Sequence, residues 1–409
     1  MTRDVIMTLG LLLGAGLAAR FVASLLGVPE MLVLVAIGVP LGAVVDVPLD
    51  SIGAQLLFTL GVSMILFHGG LNLSLRVLRR VWMALGLLVV PGVVLTAVIT
   101  GVAAYAVFDL SWTAALLLGA VLAPTDPAIL IPLFVASRLR EKVAQTVVAE
   151  SAFNDPTGAA LALAFAGVLV NGGGVLEPLG EFVADLAIST VIGIAGGLLL
   201  AAAISSHRAG IWRESAGLAV LAVVAIAYFS LDSAGGSGYL GAFLAGLIVG
   251  NMEHLGLAMH AEHEEDMRRF AGNLSEVATL LVFVVLGVNL PLRDLADQLL
   301  PALAVLAMLL LVARPLTVLA CVLPDRGGQW TWREIAFLCW TRETGVLPAA
   351  LVGVIVALGV PHEEIYASVV ALAIVVTLLV QALPAPWLAR RLGLLDVRTA
   401  GGSDPLPTE

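Results

Sequence analysis

The sequence predicts an all-α polytopic membrane protein with about 13 transmembrane helices, arranged as inverted repeats in which two interrupted helices cross. Three observations predict this fold. Of the 409 residues, 60% are hydrophobic and 12% are charged, whereas soluble proteins have about 25% charged residues. Apolar runs reach the roughly 20 residues that a helix needs to cross the lipid core. Two polar stretches interrupted by proline or glycine lie inside such runs, in spans of opposite direction.

The spans follow from the apolar runs that lie between short polar loops. The second and ninth runs are shorter than the others, and residues 391–409 form a short tail after the last span. The predicted limits are residues 5–26, 31–45, 53–72, 82–108, 111–135, 146–170, 181–204, 215–231, 238–253, 271–290, 299–321, 334–357 and 365–388.

The arginine residues predict the orientation, because cytoplasmic loops of membrane proteins are enriched in Arg and Lys. One alternating set of loops holds most of the basic residues, and the other set is mainly acidic. This pattern places the N-terminus outside and the C-terminus in the cytoplasm, which requires an odd number of spans. The basic set contains Arg76, Arg79, Arg80, Arg138, Arg140, Lys142, Arg208, Arg213, Arg268, Arg269, Arg326, Arg333, Arg390, Arg391 and Arg398.

Composition also excludes several classes of protein. The formal net charge of −10 and the scarcity of basic clusters exclude nucleic-acid binding. No Gly-rich phosphate loop of the Walker type is present, so ATP is not expected to drive this protein. The two cysteines, Cys321 and Cys339, lie in apolar stretches and are interpreted as ordinary buried thiols. No enzymatic activity and no cofactor are expected.

Ionisable residues inside the predicted spans indicate a transporter. A charge at the centre of a bilayer costs at least about 2.5–3.5 kcal/mol, so each of these residues needs a functional or structural reason. A structural membrane protein would carry few of them. The candidate residues of this kind are His68, Asp126, Glu150, Asp155, Glu276, Arg314, Arg342 and Glu343.

The first interruption is the sequence Ala-Pro-Thr-Asp-Pro at residues 123–127. Pro124 and Pro127 remove helical hydrogen bonds and disfavour helical geometry in the residues that precede them. Non-helical backbone at membrane depth persists only where it lines a cavity or is buried in protein. Asp126 therefore marks a candidate site, although a simple proline kink capped by Asp126 is the alternative.

The second interruption is the sequence Thr-Arg-Glu-Thr-Gly-Val-Leu-Pro at residues 341–348. The loop charges make the Asp126 span run inward and the Arg342 span run outward. Two interrupted helices of opposite direction, one in each half of the chain, are typical of inverted-repeat secondary transporters. Crossed half-helices bring partial charges of both signs together, and Asp126 and Arg342 can neutralise them.

Between the interruptions, residues 150–158 contain a candidate cation site. Ser151 and Asp155 are four residues apart and share one helix face, as do Glu150 and Asn154. A hydroxyl, a carboxylate and free carbonyl oxygens are hard ligands that suit a small cation such as Na⁺. The Asp155 carboxylate can hold a proton or a cation but not both, which is sufficient for exchange.

At these residues the sequence resembles the cation/proton antiporter 1 family, in particular its prokaryotic NhaP-type sodium (or potassium)/proton antiporters. The matching segments are Thr125-Asp126-Pro127, Glu150-Ser151 with Asn154-Asp155-Pro156, and the interrupted helix with Arg342. Residues 66–71, Leu-Phe-His-Gly-Gly-Leu, are similar to the third-span motif of the family. The resemblance extends to about residue 390 and implies the inverted-repeat antiporter fold.

The resemblance also implies residue roles and an assembly. Asp155 would exchange cation for proton, and Ser151 and the carbonyl of Thr125 would complete the ion site. Asp126 and Asn154 would stabilise the helix crossing, and Glu150 would pair with Arg342. The family forms homodimers, which implies a dimerisation part at about residues 1–80 and 215–290. The moving ion-binding core would comprise about residues 82–170 and 299–388.

Two positions depart from the family pattern. His68 replaces an acidic residue that contacts the ion in several relatives, so His68 is a possible ion-binding residue or a neutral hydrogen-bonding group. Glu343 has no counterpart in the usual Arg-Gly sequence and receives no role. Asn at position 154 matches the electroneutral branch of the family.

The sequence thus predicts an antiporter that exchanges a monovalent alkali cation for H⁺ across the cytoplasmic membrane with 1:1 stoichiometry. Na⁺ is the first expected ion, with K⁺ and Li⁺ as alternatives. A cation channel and a cation-coupled symporter of a small organic anion remain alternatives on the same fold.

Overall fold

The structure is a computed structural model that describes residues 2–49, 51–73, 75–126, 139–174, 177–206, 210–290 and 296–395. Its regular secondary structure in these ranges is helical, apart from an isolated antiparallel bridge between Leu139 and Leu395. The principal helices are α1 (Thr2–Leu26), α2 (Glu30–Leu41), α3 (Ile52–Leu71), α4 (Leu75–Val89), α5 (Pro91–Val107), α6 (Trp112–Leu122), α7 (Glu141–Asn171), α8 (Glu177–Ile204), α9 (Ala216–Ala234), α10 (Gly238–Gly250), α11 (Ala261–Val288), α12 (Leu299–Val322), α13 (Trp332–Trp340), α14 (Val346–Ala357), α15 (Glu363–Thr377) and α16 (Ala385–Arg391).

Nine helical segments of the described chain are long and apolar enough to cross a membrane. Four shorter apolar helices, α2, α6, α10 and α14, accompany them. Each predicted span overlaps one of these segments, so the all-α membrane fold is confirmed, while the number of 13 crossings stays a prediction. The second half of the fifth predicted span, from residue 127, and the tail beyond residue 395 lie outside the described residues.

Local sequence signals explain where several helices begin. Ser111 and Ser237 precede α6 and α10, and each serine hydroxyl accepts a hydrogen bond from a backbone N–H in the first turn. Before α13, Thr331 and Glu334 form a capping box, in which each side chain accepts from the backbone N–H of the other residue. Such caps satisfy N–H groups that would otherwise lack partners at helix starts.

The helices pack in two groups. In one group, α2 and α3 lie against α11, and α10 lies against α3, α8 and α9. In the other group, α6 lies between α5 and α7, α12 packs on α5, and α14 packs on α15. Contacts of α7 with α8 and α10, and of α14 with α11, connect the two groups.

Small residues allow α3 and α10 to approach closely. A Cβ on Gly246 would overlap the Phe67 carbonyl oxygen, and a Cβ on Gly250 would overlap that of Leu71. The backbones can therefore touch only because these positions lack side chains, which is typical of membrane helix pairs.

Residues 253–269, which are rich in histidine and acidic residues, are partly helical. Met252–Leu255 form a 3₁₀ turn, and α11 begins at Ala261, ten residues before the predicted start of its span. Within its first turns, Arg268 pairs with Glu264 at 2.8 Å and Arg269 pairs with Glu265 at 2.6 Å. These i to i+4 ion pairs are of the kind that stabilises a solvent-exposed helix end.

Candidate functional site

The two interruptions meet, and Asp126 connects them. Helix α6 ends at Leu122, whereas residues 341–345 separate α13 from α14. The Asp126 N–H donates to the carbonyl oxygen of Glu343 at 3.0 Å. The Val346 N–H, in the first turn of α14, donates to Asp126 Oδ2 at 3.2 Å. A carboxylate thus lies at the partially positive start of α14, where a negative charge is favourable.

Arg342 lies at the opposite helix end of the same crossing. Its Nη2 donates to the carbonyl oxygens of Leu122 and, at 3.0 Å, Ala123. Leu122 is the last residue of α6 and Ala123 follows it, so both carbonyls lie at the helix end that carries partial negative charge. Arg342 is only 2% exposed; its Nη2 is hydrogen-bonded to these carbonyls, whereas its Nη1 has no hydrogen-bond partner among the described residues.

Gly345 allows this crossing because it has no side chain. A Cβ at this position would overlap the carboxyl group of Asp126. The glycine therefore sets how closely the second interruption can approach the first.

We expect Gly345→Ala to displace Asp126 from the start of α14 and to destabilise the protein by about 1–3 kcal/mol, the usual cost of overpacking. Thermal unfolding of the purified protein measures this change. Gly167→Ala is the matched control, because a Cβ on Gly167 of α7 meets no atom within 4 Å. Equal melting temperatures for the two variants would contradict the steric role of Gly345.

The predicted Glu150–Arg342 ion pair is wrong. Glu150 pairs instead with Arg314 of α12, through Nη1 with Oε1 and through Nη2 with Oε2 at 3.1 Å. The side chains of Glu150 and Arg314 are each 4% exposed. A bidentate pair of this kind is the arrangement in which buried charges of opposite sign compensate each other best.

Arg314 also contacts the second interruption. A π-helical segment, Leu309–Ala313, ends directly before Arg314, and Pro315 follows it. Arg314 donates to the carbonyl oxygens of Leu338 at 2.9 Å and Thr341 at 3.0 Å, where α13 ends. Arg314 therefore binds Glu150 and the second interruption together, while Arg342 reaches the first interruption.

The two faces of α7 border different cavities, as the four-residue spacing predicts. Ser151 and Asp155 line a cavity of about 440 Å³, together with Asp126 and His68. Glu150 and Asn154 line a much smaller cavity that also borders Arg314. The four-residue spacing thus presents one hydroxyl and one carboxylate to the larger cavity.

Thr125 joins these two faces. The Asn154 side chain holds Thr125 at both ends: Oδ1 accepts from the Thr125 N–H at 3.1 Å, and Nδ2 donates to Thr125 Oγ1 at 2.8 Å. The Ser151 hydroxyl donates to the carbonyl oxygen of Thr125. Two uncharged oxygens therefore lie in contact: Ser151 Oγ, one turn before Asp155 on α7, and the Thr125 carbonyl oxygen at the first interruption. Both retain lone pairs that can coordinate a hard cation.

Polar residues of α15 and the π-helical segment after it support the second interruption. The Thr344 N–H donates to Thr377 Oγ1 at 3.0 Å, and Gln381 Nε2 donates to the Trp340 carbonyl at 2.6 Å. The sequence analysis missed both residues, since neither carries a charge. The Glu343 side chain is also buried, and its Oε1 has no hydrogen-bond partner among the described residues.

Comparison with known proteins gives consistent results. The K(+)/H(+) antiporter NhaP2 of Shewanella oneidensis is 31% identical over 371 residues, which cover 88% of this chain and 62% of that protein. A probable Na(+)/H(+) antiporter of Methanocaldococcus jannaschii is 27% identical over 375 residues, covering 87% of this chain and 86% of that protein. The chain thus spans somewhat less than two thirds of the length of the Shewanella relative.

Solved structures confirm the fold. The sodium proton antiporter MjNhaP1 of M. jannaschii, determined at pH 8, superposes with a TM-score of 0.81 at 24% identity, covering 95% of this chain and 99% of that structure. Residues 9–391 match the sequence profile described as sodium/hydrogen exchanger, transmembrane. The predicted resemblance is therefore confirmed, and the chain belongs to the sodium/hydrogen exchanger family of multi-pass membrane transport proteins.

Proposed function

We propose that this protein is a secondary antiporter that exchanges a monovalent alkali cation for H⁺ across the cytoplasmic membrane. The observation that carries the proposal is the placement of Asp155 and Ser151 on one cavity-lining face beside two interrupted helices. The names of the relatives, which specify K⁺/H⁺ or Na⁺/H⁺ exchange, support this class of substrate.

In this proposal, the Asp155 carboxylate binds either the cation or a proton. Ser151 Oγ and the carbonyl oxygen of Thr125 supply neutral oxygens to the cation. Asn154 uses both ends of its amide on Thr125 and cannot ionise, so it adds no second exchanging acid beside Asp155. One positive charge then crosses in each direction, which makes exchange electroneutral.

The assembly and orientation are part of the same proposal. The core at about residues 82–170 and 299–388 would move against a dimerisation part at about residues 1–80 and 215–290. The two packing groups of helices support this division. The protein would act as a homodimer, with its N-terminus outside and its C-terminus in the cytoplasm, as the arginine distribution indicates.

Proteoliposomes with an imposed pH gradient test the proposal. We expect Na⁺, K⁺ or Li⁺ to dissipate the gradient at a rate that does not change when a membrane potential is applied. A series with each alkali cation over a range of pH identifies the transported ion. Voltage-driven cation current without proton movement would instead indicate a channel, and a requirement for an organic anion would indicate a symporter.

A further inference from the structure

His68 of α3 lines the same cavity as Asp155 but has its own hydrogen-bond partner. Asn72 follows one turn later, and its Nδ2 lies 2.9 Å from the Nε2 atom of His68. The same Nδ2 atom lies 2.9 Å from the backbone carbonyl oxygen of His68. One amide group therefore contacts both the ring and the main chain of the histidine.

These two contacts determine the protonation state of the ring in this arrangement. A backbone carbonyl only accepts, so the Asn72 atom beside it must be the amide nitrogen, which only donates. The ring nitrogen that faces this amide must then be the acceptor. His68 is thus neutral, with its proton on Nδ1, and its Nε2 lone pair is not free to coordinate a cation. The possible role of His68 as an ion ligand is therefore not supported.

The charged groups around His68 come from three elements. Asp155 of α7 and Asp126 of the first interruption line its cavity. On α11, Arg268 donates to the Leu71 carbonyl at 3.1 Å and pairs with Glu264. Helix α10, which packs closely on α3, has no charged residue, and the only charged residue of α9, Asp232, lies near Tyr228 and Thr59 toward the other end of α3.

We propose that His68 is a second proton-binding group of the ion cavity, and that its protonation excludes the transported cation. The inference rests on the proposed antiport function. A proton on Nε2 would face the Asn72 amide hydrogens, so the present contact between the ring and Asn72 cannot persist. The resulting imidazolium belongs to a cavity lined by two carboxylates, where its positive charge opposes binding of the alkali cation.

This arrangement predicts a steeper acid inhibition than Asp155 alone can give. One competing proton raises the cation concentration for half-maximal exchange about tenfold per unit of decreasing pH, and two competing protons raise it about 100-fold. The steep range should begin at the pH at which His68 takes up its second ring proton, and it should be absent where the residue at position 68 cannot be protonated.

Exchange of Na⁺ and K⁺ in proteoliposomes, measured from about pH 5 to pH 8, tests the inference with His68→Gln. Glutamine can accept from Asn72 but cannot be protonated. We expect exchange to persist in the variant and its half-maximal cation concentration to change about tenfold per pH unit, against about 100-fold in the wild type. The matched control, His263→Gln in the first turn of α11 and outside the lining of the ion cavity, should keep the wild-type slope.

A second variant keeps the imidazole but compensates its charge. Asn72→Asp places a carboxylate beside Nε2, which holds the protonated ring as an ion pair, so the slope of acid inhibition should fall toward that of His68→Gln. Equal slopes in the wild type and His68→Gln, or a wild-type slope in Asn72→Asp, would overturn the role of His68. Failure of the proposed antiport function would be distinguishable from failure of the role of His68, because the wild type would then show no cation-dependent proton movement at alkaline pH.

Discussion

Replacing Asp155 by asparagine should reduce cation-dependent proton movement by at least about 100-fold, because a buried cation without a carboxylate partner loses several kcal/mol of compensation. The substitution preserves the shape of the side chain and leaves Ser151 in place on the same face of α7. Asparagine neither binds a proton nor neutralises a cation, so both halves of the exchange cycle should fail. Dissipation of an imposed pH gradient by Na⁺ or K⁺ measures the loss.

Asp232→Asn is the matched control for this prediction. Asp232 is an exposed residue of α9 and does not line the cavity, so this variant should transport like the wild type. Undiminished exchange by Asp155→Asn would show that the transported ions do not compete for this carboxylate, and the proposed mechanism would then be wrong.

Removing either member of the Glu150–Arg314 pair should destabilise the protein by about 3–5 kcal/mol, since each single change leaves an uncompensated charge in the interior. We therefore expect Glu150→Gln and Arg314→Met each to lower the melting temperature markedly. The double variant should recover a large part of the loss, because it buries no unpaired charge. Recovery will be incomplete, since Arg314 also donates to the Leu338 and Thr341 carbonyls.

A double-mutant cycle distinguishes this pair from the alternative pair with Arg342. Combining Glu150→Gln with Arg342→Met should give a much smaller coupling than the Glu150–Arg314 cycle. Arg342 lines the same small cavity as Glu150 but donates to the α6 carbonyls and not to the Glu150 carboxylate. The melting temperatures of the single and double variants give the coupling between the two residues in each cycle. Coupling of Glu150 with Arg342 and none with Arg314 would contradict the structure.

The sequence predicted much of the site because periodicity acts within one helix. A spacing of four residues places Ser151 and Asp155 on one face of α7, with Glu150 and Asn154 on another, and the cavities separate them in that way. Proline and glycine predicted both interruptions, since their effect on backbone hydrogen bonds is local. Length and apolarity likewise sufficed to predict the membrane helices.

The sequence by itself determined the membrane fold, the two interruptions and the faces of α7, since each depends on residues within a single apolar run or helix. Only the tertiary structure decided which arginine pairs with Glu150, because Arg314 lies 164 residues away along the chain and the π-helical segment before it is not evident from periodicity. Packing also decided that a side chain at position 345 would overlap Asp126. Contacts between distant segments depend on where helices cross, which no local pattern specifies.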